Sequence, residues 1–180
     1  MRFFDAFRGR LLLSVVGAML VAASVAVTFI VRDELRRPNV AAVVDAARGP
    51  ATEGPELAVT RSVDGLEFPD WRRWSWRAVG GRRDVLEDDR EAATTIYRHG
   101  KQTITYSIVS GTGNVDADEY FGFTRQVTTP GGKVELVESG GPNVMILRRM
   151  RGGRTIILTG VPPGKRLART MRRLAVRGTT

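Results

Sequence analysis

The sequence predicts an α+β protein: an N-terminal transmembrane helix, then an antiparallel β-meander sheet of about six strands, closed by a C-terminal amphipathic helix. Three observations predict it. An uncharged apolar run fills residues 11–31, short strand-like runs separated by glycine turns fill the middle of the chain, and a helical stripe of Leu167, Met171 and Leu174 follows Pro162-Pro163-Gly164. With 180 residues, 42% of them hydrophobic and 26% charged, the chain has the balance of one folded domain with appendages.

The run LLLSVVGAMLVAASVAVTFIV matches the ~20 apolar residues that cross a bilayer core as a helix. Arg2, Arg8 and Arg10 precede it and Arg32, Arg36 and Arg37 follow it, so the flanking basic residues nearly tie and leave the orientation open. Length decides it: residues 1–10 are too few to fold, and a short basic N-terminus before an apolar run has the form of a signal anchor. Ser24-Val25-Ala26 satisfies a small-x-small cleavage rule, but the run continues through Val31, which favours retention. The expected arrangement is therefore a cell-membrane protein that spans once. Residues 1–10 form a short cytoplasmic N-terminus, 11–31 the anchor, 32–55 a stalk and 56–180 an extracytoplasmic α+β domain.

Within the stalk, Val40, Val43, Val44 and Ala47 lie at helical spacing and predict a short helix near 40–48, before GPATEGP ends it. Strands are predicted at 76–85, 94–98, 101–109, 133–137, 143–150 and 154–158. His99-Gly100 reads as a two-residue hairpin connection, its glycine suited to the primed turns. Ile104, Tyr106 and Ile108 share one face of the next strand and Thr103, Thr105 and Ser107 the other, which predicts one buried face and one wet face. Consecutive strands with short connections predict a meander, and a last helix to about Val176 packs on one side of it.

The excess of 28 Lys+Arg over 19 Asp+Glu, +9 in all, favours a polyanionic partner. Its densest source is the last helix, where Lys165, Arg166, Arg169, Arg172, Arg173 and Arg177 stand without an acid. These six are the candidate contacts for anionic lipid head groups or a cell-wall polymer. The stretch FPDWRRWSWRAVGGRRD holds Trp71, Trp74 and Trp76 among arginines, the composition of a base-stacking platform. An extracytoplasmic position removes nucleic acid as a partner. The three tryptophans are then a structural aromatic cluster at the sheet entry: Trp74 and Trp76, two apart, share a strand face, Trp71 covers the sheet's edge, and Gly80-Gly81 bends the strand.

Catalytic and metal chemistry finds no support in the sequence. The absence of cysteine excludes disulfides and thiolate sites. His99 is the only histidine and reads as a solvated turn residue. Gly111-Thr112-Gly113-Asn114 and Gly122 lack the ending of a phosphate loop, and Asp116-Ala117-Asp118-Glu119 lacks the glycine and distant glutamate of a calcium loop. Asp88-Asp89 lies in a polar turn, and no Gly-x-Ser-x-Gly elbow or Ser-x-x-Lys pair occurs. No enzyme, cofactor or metal is expected.

The series Phe68-Pro69-Asp70-Trp71, Trp76 to Asp84, Thr94 to Lys101 and Thr105 to Gly111, then Gly153 to Pro162 with a terminal helix, resembles the extracytoplasmic C-terminal domain of actinobacterial membrane-anchored anti-sigma factors. The resemblance covers about residues 66–176. Two features depart from it. Such regulators carry a cytoplasmic zinc-binding helical domain with a His and two Cys, where this chain has residues 1–10 and no cysteine. Their last strand also often holds a His-Thr-Cys stretch, replaced here around residues 155–158. The resemblance implies the fold and the location, with a sensor or scaffold role in envelope-stress signalling and a membrane regulator protein as partner; it does not carry over sigma-factor control. An exported or anchored polyanion-binding protein is the alternative function, ahead of a cytoplasmic nucleic-acid binder or an envelope hydrolase.

Overall fold

A computed structural model describes residues 40–86, 89–111, 122–129, 132–139, 144–149 and 155–178. The expected N-terminus, anchor and cleavage site lie outside the described residues, as do Asp88, the run at 116–119 and most of the glycine loop before it. Among the described residues no helix is long and apolar enough to cross a membrane.

The protein is α+β, mostly antiparallel sheet, with a C-terminal helix. Its elements in order are α1 (Val40–Arg48), α2 (Pro55–Thr60), a ribbon of β1 (Ser62–Val63) and β2 (Leu66–Glu67), a 3₁₀ turn at Arg72–Trp74, then β3 (Arg77–Val85), β4 (Glu91–His99), β5 (Gln102–Val109), β6 (Gly122–Thr129), β7 (Gly132–Ser139), β8 (Val144–Arg149), β9 (Thr155–Val161) and α3 (Lys165–Gly178). β3 to β9 form one sheet in the order β3-β4-β5-β9-β8-β7-β6. This corrects the simple meander of about six strands. Two meanders, β3-β4-β5 and β6 to β9, meet where β9 pairs antiparallel with β5, Tyr106 opposite Leu158. The chain after β5 therefore runs to the far edge before returning.

The overlooked strand is β6. It is an edge strand with Thr124, Arg125, Gln126 and Thr128 exposed, so little apolar alternation marks it in the sequence. The β4–β5 hairpin is present with its turn one residue later than expected: His99 pairs with Gln102, leaving Gly100-Lys101 as the connection, with Gly100 at φ 57°.

Both faces of the sheet are covered, which corrects the expectation of one wet face. On one side Ala93, Tyr97, Ile104, Tyr106, Ile156 and Leu158 pack under Phe68, Trp71 and Trp76 and under Leu167, Met171 and Leu174 of α3. Gly160 lets α3 close on β9, since a Cβ there would lie 2.5 Å from Met171 Sδ. On the other side Ala92, Val109, Val144, Ile146 and Ile157 pack with Val40, Val43 and Val44 of α1. The predicted helix at 40–48 exists, but it belongs to the domain core rather than to a stalk.

Thr105 and Ser107, expected to face water, are buried. Their hydroxyls find cross-strand partners, Thr94 with Ser107 at 2.8 Å and Thr105 with Thr159 at 2.6 Å. A buried hydroxyl is tolerated when it is hydrogen-bonded, so a threonine face can sit in a core.

Candidate functional site

Phe68-Pro69-Asp70 delivers the chain to the sheet, and the next turn is built by Asp70. Its carboxylate accepts from the backbone N–H of Arg72 at 3.0 Å and from the Arg72 guanidinium, which holds the Asp70 pKa below the ordinary carboxylate value. The chain then tightens through the 3₁₀ turn to Ser75, at φ 64°, and Trp76 N–H donates to the Trp71 carbonyl at 3.2 Å. That closure drives Trp71 inward. It is fully buried, its ring centroid 4.5 Å from Tyr97 and 5.6 Å from Tyr106.

The three tryptophans therefore serve one structural cluster but not in the expected places. Trp71 covers the face of β4 and β5 rather than the sheet's edge. Trp74 lies in the 3₁₀ turn, half-buried beneath the Arg73 guanidinium at 3.8 Å, while Trp76 precedes β3 and is buried with His99 5.5 Å away. Trp74 and Trp76 share no strand face. Trp71 and Trp76, both buried, present no ring face on which a nucleobase would stack.

Between α2, this turn and the start of β3 lies a groove of about 620 Å³. Val59, Phe68, Trp76, Ala78 and Tyr97 wall it, and Glu56, Asp70, Arg72 and Arg77 stand at its lining as charged groups. Tyr97 donates its phenol proton to the Pro69 carbonyl at 2.7 Å, and burial raises its pKa far above the ordinary phenol value. Thr60 donates to the Glu56 carbonyl at 2.9 Å. Both hydroxyls are thus committed to backbone carbonyls, and the wall of the groove is mainly apolar and aromatic.

Beneath the groove, Arg61 is 6% exposed, and no feature of the sequence singled it out. It is ion-paired with Glu53, donates to the Thr94 carbonyl and lies 4.8 Å from the Phe68 ring; burial lowers its pKa, against the opposing charge of Glu53. Glu53 also receives Arg83 at 3.4 Å, and its backbone exchanges hydrogen bonds with Gly81 across the bulge at 78–80. The predicted bend at Gly80-Gly81 is thus where the segment before α2 crosses β3. A Cβ on Gly81 would lie 2.7 Å from both Ala58 Cβ and the Thr94 carbonyl.

Of the six basic residues expected on the last helix, Lys165, Arg166, Arg169 and Arg173 are exposed. At 100° per residue they fall within about 100° of arc, opposite the buried stripe of Leu167, Met171 and Leu174. Arg172 is different: its Nε donates to Glu138 on β7 at 2.6 Å, and Glu138 also accepts from Arg125 on β6 at 3.1 Å. Arg172 fastens the helix to the sheet. The Arg177 side chain lies outside what is described.

His99 is exposed, as expected, and is also held: Nδ1 is 2.9 Å from the Ser75 carbonyl. Among the described residues no group of three or more His, Cys, Asp or Glu is placed to hold a metal ion. Comparison with protein families, curated proteins and solved structures returns no match for this chain.

Proposed function

We propose that the chain is a single-pass membrane protein, anchored by residues 11–31, whose α+β domain lies outside the cytoplasm and acts as a non-enzymatic sensor or scaffold in envelope-stress signalling. The observation that carries the proposal is the uncharged run of bilayer length, followed closely by the first buried helix at Val40. The resemblance to the outer domain of anti-sigma factors supports the location and the role, with a membrane regulator protein as partner. The buried Trp71 and Trp76 weigh against the nucleic-acid alternative.

Protease added to intact protoplasts is expected to degrade the domain and remove an epitope placed after Thr180. Full protection of that epitope, with cleavage appearing only after lysis, would overturn the topology.

A further inference from the structure

The sheet brings three cationic segments to one end. β3 starts there at Arg77, β4 ends there and turns through Gly100-Lys101 into β5, and β9 ends there at Val161 before α3 begins. Register fixes the juxtaposition: Arg77 is opposite Arg98, Arg98 opposite Thr103, and Thr103 opposite Val161. Arg77, Arg98, Lys101, Lys165 and Arg166 are all exposed. No acidic residue occurs in 71–79, 97–104 or 161–173. Among the described residues the nearby acids are Asp70, paired with Arg72, Glu138, paired with Arg172 and Arg125, and Glu56, which lines the groove with Arg77. His99 is the other titratable group at this end, held to the Ser75 carbonyl.

This arrangement works against the fold by itself. Like charges directly opposite in a sheet repel, as Arg77 and Arg98 do. Lys165 and Arg166 sit in the first turn of α3, at the positive end of its dipole, where acids are favoured and none is present. An anionic partner would relieve both.

An apolar tip stands among the cations. Val161 is 53% exposed, and Pro162 and Pro163 beside it are exposed as well. A soluble polyanion has no use for such a tip. A bilayer surface does, because apolar side chains enter the interface while lysine and arginine meet the phosphates.

We propose that this end of the domain docks on an anionic lipid bilayer, with Val161-Pro162-Pro163 entering the interface and Arg98, Lys101, Lys165 and Arg166 engaging head-group phosphates. The proposal rests on the membrane location stated above but not on the orientation of the anchor. It extends the contact expected of α3 to the β4–β5 turn and keeps Lys165 and Arg166 of that helix, Arg172 being tied to Glu138.

The chain has no cysteine, so a single reporter cysteine is clean. Full-length protein carrying Pro163→Cys, labelled with a polarity-sensitive dye, is reconstituted into nanodiscs of phosphatidylcholine alone or of equimolar phosphatidylcholine and phosphatidylglycerol. A label at Thr128, exposed at the opposite end of the sheet, is the control. Docking predicts a blue shift at residue 163 in the phosphatidylglycerol discs only, with the label at 128 unmoved. Raised salt should reverse it, and so should the combined Arg98→Gln, Lys101→Gln, Lys165→Gln and Arg166→Gln protein; each cation contributes about fivefold to the docked population.

Equal shifts in both lipids, or none in protein fully retained in the discs, would overturn the proposal, as would displacement by soluble polyphosphate that leaves the label no response to lipid. Failure of the anchor shows separately. The chain would wash out of proteoliposomes at alkaline pH, and the label would still report docking when protein is added to preformed vesicles.

Discussion

Residues 68–84 and 165–177 are both arginine-rich, yet they do opposite work in the molecule. In the first, Arg72 is paired with Asp70 at 2.7 Å, Arg82 with Asp84 at 2.8 Å, Arg83 with Glu91 at 3.2 Å, and Arg73 lies over Trp74. In the second, Arg172 alone among Lys165, Arg166, Arg169, Arg172 and Arg173 has an acidic partner among the described residues. Arginines with an acid two residues away or on the next strand are held to the fold by it; Arg77, with no such ion pair among the described residues, is the exception in this stretch and belongs to the cationic end. Arginines on a helix without acids turn their field outward. The two stretches should therefore respond to substitution with opposite signs.

The largest effect is expected at Trp71, the buried centre of the first stretch. Trp71→Ala should cost about 3–5 kcal/mol, read as a lower denaturant midpoint, because truncating a buried aromatic leaves a cavity against Tyr97 and Tyr106. Trp71→Phe should cost clearly less, since the buried Trp71 Nε1 has no hydrogen-bond partner to lose among the described residues. Equal losses for the two would mean that the indole itself, not its bulk, holds the sheet.

Next comes the pairing that ties this stretch to the segment before α2. Glu53→Gln removes the carboxylate facing buried Arg61 and half-exposed Arg83 and should cost about 1.5–3 kcal/mol, the range for hydrogen bonds to charged groups. A loss below a few tenths would show that Arg61 is held by the Thr94 carbonyl and Phe68 alone.

These residues also mark what the sequence could and could not reveal. Patterns with a local cause were legible: the helix at 40–48 from its apolar spacing, the β4–β5 hairpin from its glycine, the apolar stripe of α3. Strand order was not, because the β5–β9 pairing depends on contacts fifty residues apart that no local signal encodes. The wet face was misread because threonine alternating with isoleucine looks the same whether its hydroxyl meets water or another hydroxyl. A better cue existed: Val144 to Leu147 and Thr155 to Leu158 are continuous buried runs, the mark of strands covered on both sides, and they demanded a second layer that α1 supplies. At the candidate site, the six basic residues of α3 were visible as a group, but only the position of Glu138 separates Arg172 from the others.

A smaller effect is expected at Tyr97, where the first stretch meets the groove. Its phenol is held protonated in the fold, chiefly by burial, so its folded pKa lies above the unfolded one. The stability it contributes is present below the ordinary phenol pKa of about 10 and falls as pH rises beyond it, by about 1.4 kcal/mol per pH unit for one proton. Tyr97→Phe should cost about 1 kcal/mol at neutral pH, through the lost bond to the Pro69 carbonyl, and should flatten the alkaline decline in the denaturant midpoint. An unchanged slope would assign that decline to another group.

The smallest effect carries the most information, because its sign differs. Lys165 and Arg169, and Arg169 and Arg173, are like charges four residues apart on an exposed helix face, and each such pair costs a helix about 0.2–0.5 kcal/mol. Replacing Lys165, Arg166, Arg169 and Arg173 together by glutamine should leave stability unchanged or raise it slightly at low salt, with the gain shrinking as salt screens the repulsion. Arg172→Gln, one residue away, should instead lose up to about 1 kcal/mol as Glu138 loses one of its two arginine partners. If the fourfold variant is destabilised like Arg172→Gln, the cations of α3 are bound into the fold as Arg72, Arg82 and Arg83 are, and the outward field that separates the two stretches does not exist.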